Sequence, residues 1–577
     1  MRRILVLGGY GTFGGRIVRL LAKHQRWSVI VAGRSKEKAE AFVRSLVDEQ
    51  VSALALALDR DAVDGDRLKA LNLWLVIDAS GPFQGVEALR YPVIRAALEA
   101  GLHYIDIADA LTFVGGIGRF DQAAKARGLT VIAGASSVPT LSSAVIAALA
   151  PGLDTLLEIE IAISSSNQAT LGRSVHAALL SYAGQPIRLR RFGQGREAAG
   201  LQDWQSIDVQ VPGHVALRGR LVAPCEVPDL DLLSARYPNL RKAIFRAGTE
   251  LSILNRSAGF LSRLVSMRVL RSLSPLAELA SRAFGLLRPF GTARSGMVVT
   301  VTGRKGEDWE RRRWNVLAEN GDGLWVPALA SVLLTEKLDR GELAPGARPG
   351  FDVLTLAEFQ SAFAPFRIDD AIETETLGPS PFRRWVGTGA DVLPTAIRAL
   401  HDDPLERSAS GTVTVMRGRH PIAALLCKIL GFPPSGENLP LMVEFEPRGK
   451  GETWRRIFPS SSFKSHLKPW PGRIGAVREC VGPLAYGFRL ETDAQGLRMV
   501  FEGWWLCGIP LPRALGPTVE AAQWQDGEDY CFSVDVSAPG IGRVIAYRGR
   551  LRLNPAEICL QPSRTDTSTS SPNGVDM

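Results

Sequence analysis

The first 150 residues alternate short apolar runs with amphipathic stretches, and this pattern predicts a domain of alternating strands and helices. Predicted strands lie at 3–7, 28–32, 53–58, 73–78, 103–107 and 129–133, and predicted helices at 14–25, 36–48, 86–100 and 118–127. Such alternation is typical of a doubly wound parallel sheet, in which ligands bind at the carboxyl ends of the strands. The fold class predicted for residues 1–150 is therefore α/β, with a Rossmann topology.

Strict polar–apolar alternation replaces this pattern after residue 150. It recurs at 156–164, 206–211 and 215–222 and again at 296–303, which predicts an antiparallel sheet carrying helices. We interpret 151–365 as a second, α+β domain that supplies one wall of a substrate cleft and a surface for a homodimer. Within it, Arg173 and His176 are one helical turn apart, where they either bind a substrate carboxylate or are solvated.

The last third of the chain changes again. A polar, turn-rich stretch at 366–390 predicts an interdomain linker. Residues 391–557 contain many short strands separated by Gly and Pro, which predicts a C-terminal α+β domain with a large antiparallel sheet. The polar, low-complexity end at 558–577 predicts disorder. The sequence therefore indicates three domains.

The net charge of +9 is concentrated in one segment. Residues 236–294 hold eleven Lys or Arg and two Glu, a surplus of nine that equals the whole excess of the chain. We therefore expect no nucleic-acid binding. Apolar residues recur at nearly helical spacing there, which predicts a basic amphipathic helical insertion. Such an insertion either contacts an anionic membrane surface or packs on its own protein or a dimer mate.

Other features exclude further classes of protein. The six cysteines are scattered without a C-x-x-C pair, so neither a metal site nor a disulfide framework is expected. The first apolar run is too short for a signal peptide, and no apolar segment is long enough to span a membrane. We expect a cytoplasmic protein, with membrane association through 236–294 as the alternative.

A glycine turn follows the first predicted strand. Gly9, Gly11 and Gly14 fit G-x-G-x-x-G between a strand and a helix, the dinucleotide-binding fingerprint. The glycines allow a tight turn, close approach of a pyrophosphate and packing of the helix on the strand. The turn therefore predicts a pyrophosphate site formed by Gly9, Tyr10, Gly11, Thr12, Phe13 and Gly14.

The end of the second predicted strand indicates which dinucleotide binds. Arg34 and Ser35 stand where NAD-binding proteins carry an acidic residue, and their donors suit the 2′-phosphate of NADP. Asp59, after the third strand, is placed to meet the adenine. Residues 80–82, after the fourth strand, are placed beside the ribose and nicotinamide. Each of these polar residues could equally serve as a cap or turn.

Five motifs together resemble the saccharopine dehydrogenase-like family: GGYGTFGG, AGRS, DASGPFQG, HYIDIAD and LLTEKLDRGELAPGARP. The resemblance covers about the first 365 residues and implies an NADP-binding Rossmann domain followed by an α+β domain. By motif it places the glycine turn at the pyrophosphate, Arg34 and Ser35 at the 2′-phosphate, and the nicotinamide half alongside Ser80, Gly81 and Pro82.

The resemblance leaves the substrate open. No proton-donating Lys/His pair or amino-acid-clamping arginines can be matched, and the basic insertion is closer to oxidoreductase-like relatives, some of which act on lipidic substrates. Residues 391–555 resemble a domain of unknown function, DUF4166, through WRRIF (454–458), GIPLPR (508–513) and YRGRL (547–551). That domain brings no activity with it.

Two hypotheses follow for the function. The first is an NADP-dependent oxidoreductase acting on a carbonyl, imine or enoyl group. The second is a non-catalytic NADP-binding protein that docks on a membrane or a protein partner. An oxidoreductase needs a proton donor, and the candidates near the fifth strand, none of them assigned, are His103, Tyr104, Asp106 and Asp109.

Overall fold

Seven parallel strands form the N-terminal sheet of the computed structural model, which describes residues 1–47, 53–85, 90–169 and 173–554. The strand order is β3-β2-β1-β4-β5-β6, the arrangement expected of a Rossmann domain, with β15 added beside β6. The strands are β1 (Arg2–Leu7), β2 (Trp27–Gly33), β3 (Ala53–Ala57), β4 (Leu75–Asp78), β5 (His103–Asp106), β6 (Thr130–Ala133) and β15 (Gly346–Pro349). The helices are α1 (Gly14–Lys23), α2 (Lys36–Val47), α3 (Gly65–Ala70), α4 (Pro92–Ala100), α5 (Leu111–Gly115), α6 (Asp121–Ala126) and α7 (Ser142–Leu149).

The second sheet is mixed rather than wholly antiparallel. Its path runs β10-β11-β12-β7-β13-β14-β16, with β8 and β9 attached beside β12, and β7 pairs with β12 in parallel. The strands are β7 (Thr155–Ser165), β8 (Pro186–Arg191), β9 (Gln194–Ala199), β10 (Gln205–Val209), β11 (Leu217–Pro224), β12 (Lys242–Thr249), β13 (Ser295–Lys305), β14 (Asp308–Ala318) and β16 (Ile368–Leu377). The helices are α8 (Arg173–Ser181), α9 (Asp229–Arg236), α10 (Ser252–Ser266), α11 (Ala277–Leu287), α12 (Val326–Asp339) and α13 (Leu356–Phe363).

Two expectations are corrected here. The stretch 366–390, predicted as a linker, contains β16, an edge strand that pairs with β14 along its whole length. Its polar residues misled the prediction because they face solvent on a sheet edge. The basic segment 236–294 is not one helical insertion, because β12 lies inside it, in the middle of the sheet. Only the part that contains α10 and α11 leaves the sheet.

The predicted C-terminal antiparallel sheet is closed into a barrel. Ten strands form a ring, β22-β21-β20-β19-β18-β17-β27-β26-β25-β23, because β22 also pairs with β23; β24 flanks β23. The strands are β17 (Arg407–Arg417), β18 (Gly436–Arg448), β19 (Gly451–Ile457), β20 (Ser462–Pro469), β21 (Ala476–Val481), β22 (Leu484–Asp493), β23 (Gly496–Leu506), β24 (Ile509–Leu511), β25 (Thr518–Asp526), β26 (Asp529–Ala538) and β27 (Gly542–Leu553). The helices are α14 (Pro381–Val386), α15 (Thr395–His401) and α16 (Pro421–Ile429). The tail predicted to be disordered lies outside the described residues.

One apolar core joins the two N-terminal sheets. It includes Ile4 of β1, Ile159 of β7 and Phe359 of α13, all fully buried. The barrel has a separate core and is fixed to the second sheet mainly by charged groups. Arg191 donates two hydrogen bonds to Glu406 (3.0 and 2.7 Å), and Lys242 contacts the same carboxylate at 3.1 Å. The polar face of the second sheet is therefore partly covered by the barrel.

Candidate functional site

The glycine turn has the geometry that the fingerprint requires. A Cβ on Gly14 would lie 2.2 Å from the carbonyl oxygen of Gly8, and one on Gly9 would lie 2.7 Å from that of Val6. Neither position can hold a larger residue without displacing the turn. Gly11 is exposed, so its backbone is accessible at the N-terminal end of α1. These observations fit a pyrophosphate on the helix N-terminus.

Tyr10 connects this turn to the end of β2. Its ring lies against Gly33, where a Cβ would come within 2.4 Å of the ring, and its hydroxyl oxygen accepts a hydrogen bond from the Ser35 N–H at 3.1 Å. Arg34 is exposed and makes no ion pair within the described part of the chain. The Ser35 hydroxyl caps α2 by accepting from Lys38 N–H and donates to Glu37. Arg34 is thus the freer of the two groups predicted at the 2′-phosphate.

The residues predicted near the adenine and nicotinamide lie along the same edge. Asp59 is exposed and caps the turn that follows β3, accepting from Asp61 N–H. Ser80 donates from its N–H and its hydroxyl to the buried Asp78. Arg60 holds the neighbouring loop by donating to the carbonyl oxygens of Ser80 and Pro82, at 3.1 and 3.3 Å. Asp59 and Ser80 therefore each make hydrogen bonds within the protein, and both lie at the edge where the cofactor is predicted to bind.

A cavity of about 350 Å³ lies between this edge and the second sheet. One wall contains Phe13, from the glycine turn, and residues 81–83, from the loop after β4. The opposite wall is largely apolar and includes the buried Phe245, Met297 and Val316. The volume is in the range of small-ligand pockets. The predicted nicotinamide end of the cofactor site therefore opens onto an apolar chamber.

Three polar side chains meet in this cavity. The Gln84 amide donates to the Asp109 carboxylate at 2.8 Å and to the Tyr182 hydroxyl oxygen at 3.1 Å. Burial raises the pKa of Asp109 and, together with the Asp109 charge, raises the pKa of Tyr182 far above its ordinary value. The hydroxyl proton of Tyr182 meets no acceptor among the described residues, so it is available to a ligand. The cluster is chemically a hydrogen-bond and proton donor in an apolar surrounding.

The other proposed proton donors do not reach the cavity. His103 lies at the opposite end of β5, where its Nδ1 accepts from Thr130 N–H. Tyr104 lies within β5 and is fully buried. Asp106 is also fully buried, accepts from the N–H groups of Ala108 and Gly134, and has its pKa raised by burial to about 7. Of the four candidates, only Asp109 lines the cavity.

Sequence reasoning missed Gln84 as a site residue and missed Tyr182 completely. Gln84 lies in the DASGPFQG motif, whose family resemblance could have pointed to it. Tyr182 follows α8, 98 residues further along the chain, and carries no local signal. The side chains of Arg173 and His176 lie outside what the structure describes.

No group of three or more His, Cys, Asp or Glu side chains able to hold a metal ion occurs within the ranges that the structure covers. None of the helices in those ranges is both long enough and apolar enough to cross a membrane.

Two family models match the chain. Residues 4–132 match the saccharopine dehydrogenase NADP binding domain, and residues 393–551 match the domain of unknown function DUF4166. No curated protein matches the sequence.

Solved structures give weaker likenesses. Saccharopine dehydrogenase (L-Glu forming) from Saccharomyces cerevisiae is 13% identical over 66% of this chain and 100% of its own, with a TM-score of 0.46. A citronellol catabolism dehydrogenase from Pseudomonas aeruginosa is 17% identical over 23% of this chain and 72% of its own (TM-score 0.20). Gre2 from Candida albicans, in complex with NADPH, is 14% identical over 18% and 36% (TM-score 0.16).

The chain thus combines a segment similar to the saccharopine dehydrogenase NADP-binding domain with a DUF4166-like segment, which confirms the resemblance and supports NADP as cofactor and oxidoreduction as the class of chemistry.

Proposed function

We propose that this protein is an NADP-dependent oxidoreductase that interconverts a carbonyl group and an alcohol on an apolar, lipid-like substrate. The observation that carries the proposal is the meeting of Gln84, Asp109 and Tyr182 inside a largely apolar cavity at the nicotinamide end of the predicted cofactor site. When bound there, NADP would supply or accept the hydride.

The lining of the cavity supports an apolar substrate. Saccharopine-type chemistry joins two charged molecules, whose carboxylates would need basic side chains. Among the described residues that line the cavity, none is Arg or Lys, while Asp109 and Glu226 are acidic. Burial raises the pKa of Glu226 as well. A neutral chain with one polar group fits this lining better than an amino acid does.

The polar cluster supports a carbonyl as the reacting group. Tyr182 keeps its proton, because its pKa is raised by burial and by Asp109. It can therefore donate a hydrogen bond, and then the proton, to the substrate oxygen as negative charge develops there. Gln84 fixes the Tyr182 hydroxyl and Asp109 relative to each other. Reduction of an enoyl group would instead deliver the proton to carbon.

The test is NADPH oxidation by the full-length protein with matched substrate series. Long-chain aldehydes and ketones should be reduced, with kcat/KM rising with chain length as more apolar surface is buried. An enoyl thioester, and an amino acid with a 2-oxo acid, should give no turnover. Turnover of the amino-acid pair alone would overturn the proposal. NADPH binding without turnover of any substrate would favour the non-catalytic hypothesis.

Two variants assign the proton donor. Tyr182→Phe should lower kcat on the order of 100-fold or more, the usual contribution of a positioned acid, while NADPH affinity stays unchanged. Tyr237→Phe is the matched control, because Tyr237 lies next to α9 and is not among the residues that line the cavity. Equal kcat values for the two variants would remove Tyr182 from the mechanism.

A further inference from the structure

The basic insertion leaves the second sheet beside the cavity. Its two ends are joined by Glu250, which follows β12 and accepts hydrogen bonds from the N–H and the hydroxyl of Thr292, both at 2.7 Å. Asn167, just after β7, donates to the Leu287 carbonyl at 2.7 Å. Residues 251–291 therefore form one unit, rooted at the end of β7.

Helix α10 leaves two of its large apolar side chains exposed on its outer side. The residues that it buries are small or polar, apart from Val265: Asn255, Gly259 and Ser262. Ser262 donates to the Gly200 carbonyl at 2.7 Å, and Gly259 packs against Trp204 so closely that a Cβ would come within 2.4 Å of it. On the outer side, Ile253 and Phe260 are 65% and 62% exposed. An ordinary surface helix keeps its apolar stripe on the core, whereas α10 carries exposed apolar groups in addition to those that pack on the protein.

The exposure continues through the rest of the insertion. Leu279 and Leu286, seven residues apart on one face of α11, are 64% and 79% exposed. Of the twenty large apolar side chains exposed in the described part of the chain, seven lie within this insertion: Ile253, Phe260, Met267, Val269, Leu279, Leu286 and Phe290. A concentration of this kind marks an interaction surface.

Basic side chains accompany these apolar groups. The insertion contains six arginines, at 256, 263, 268, 271, 282 and 288, and a single acidic residue, Glu278. All six arginines are exposed. Within the described residues, only Arg282 has an ion pair, with Glu278 at 3.5 Å. The other basic residues of 236–294 lie outside the insertion and are paired, as Lys242 and Arg246 are with Glu160.

We infer that the outer face of α10 and α11 docks on the surface of an anionic lipid bilayer. The exposed apolar side chains match the acyl boundary of such a bilayer, and the unpaired arginines between them match its phosphate layer. A second copy of this chain would bring arginine against arginine across a twofold interface. A bilayer surface supplies the opposite charge, which is why we choose it over a dimer.

Docking would also place the cavity close to the lipid. Phe284 of α11 and Leu179 of α8 both line the cavity, and α11 packs against α8. An apolar substrate could therefore pass from the bilayer to Tyr182 without crossing water. This part of the inference rests on the proposed function, whereas the docking itself does not.

The test is co-sedimentation of the full-length protein with vesicles. Vesicles of phosphatidylcholine and phosphatidylglycerol in equal parts should retain the protein, and phosphatidylcholine alone should not. The triple variant Arg256→Gln/Arg263→Gln/Arg271→Gln should bind the mixed vesicles on the order of 100-fold more weakly, as expected for three basic residues at an anionic surface. Phe260→Ser/Leu286→Ser should also weaken binding, and because these side chains are exposed, the thermal midpoint should stay unchanged.

The matched control lies on the barrel. Helix α16 exposes Ile422 and Ile429 with only one basic residue, Lys428, so Ile422→Ser/Ile429→Ser should leave vesicle binding unchanged. Equal binding of wild type and triple variant, or equal binding to both kinds of vesicle, would overturn the inference. So would a dimer that Phe260→Ser converts to a monomer while vesicles retain neither form. Turnover of a short, water-soluble aldehyde without vesicles reports the proposed function separately.

Discussion

The interior of the C-terminal barrel and the cavity beside the Rossmann sheet both enclose polar groups, but the cavity leaves far more space around them. In the barrel, Arg407 is fully buried and donates to Glu452 at 2.9 Å, and Glu452 also accepts from Trp454. His401 is stacked against Phe382 and bonded to Gln523. The remaining space inside is about 60 Å³, against about 350 Å³ in the cavity.

The difference shows how buried polar groups that stabilise the fold can be distinguished from those that can act on a ligand. In the barrel, Arg407 donates both to Glu452 and to the Leu400 carbonyl of α15, so this buried pair holds the ring and that helix together. In the cavity, Gln84 orders Asp109 and Tyr182, yet the Tyr182 proton meets no acceptor among the described residues. A perturbed pKa alone would not separate the two regions, because burial lowers the pKa of His401 to about 3.

The largest effect that the comparison predicts is in the barrel. Glu452→Gln should lower the free energy of unfolding by about 3–5 kcal/mol, because it leaves Arg407 buried without its counter-charge. Urea unfolding measures it. Glu452→Leu combined with Arg407→Met should restore most of the loss. NADPH affinity should be the same in all of these proteins. A loss below about 1 kcal/mol for Glu452→Gln would show that the Arg407 charge does not depend on Glu452 as its buried counter-charge.

The next effect concerns the far end of the cofactor site. Arg34→Glu should weaken NADPH binding roughly 10- to 100-fold, because it replaces a charge-assisted contact to the 2′-phosphate with repulsion. NADH binding should barely change. Arg44→Glu, at an exposed position on α2, is the control for a simple change of net charge. Fluorescence titration measures both. Unchanged NADPH affinity would mean that the 2′-phosphate is recognised by another group.

The smallest effect concerns pH. Burial raises the pKa of Asp106 to about 7, so the folded protein keeps a proton that the unfolded chain has already lost. Its contribution to stability therefore falls as pH rises from about 4 to about 7, and is constant above that. Asp106→Asn keeps an oxygen acceptor for the N–H groups of Ala108 and Gly134 and removes this loss. The variant should gain stability relative to wild type between about pH 4 and 8, as measured by denaturant midpoints. A parallel pH dependence of the two proteins would contradict the assignment.

Local patterns predicted the N-terminal domain well, because β1 and its neighbours are buried on both faces and read as plain apolar runs. Patterns failed where tertiary contacts changed the meaning of polar residues. β16 reads as a linker because it is a polar edge strand. The basic segment reads as one unit because counting charge along the chain does not separate Lys242, paired with Glu160, from the unpaired Arg256.

The sequence by itself determined the strand, glycine turn and helix at the start of the chain, and with them the predicted position of the NADP site, because those features depend on spacing within 35 residues. Only the tertiary structure decided what the nicotinamide end faces. Gln84 and Tyr182 are 98 residues apart and meet because α8 is carried to the Rossmann edge by a different sheet. It also decided that Ile253 and Phe260 of α10 face outward, since side-chain periodicity defines the faces of a helix but not which of them is covered.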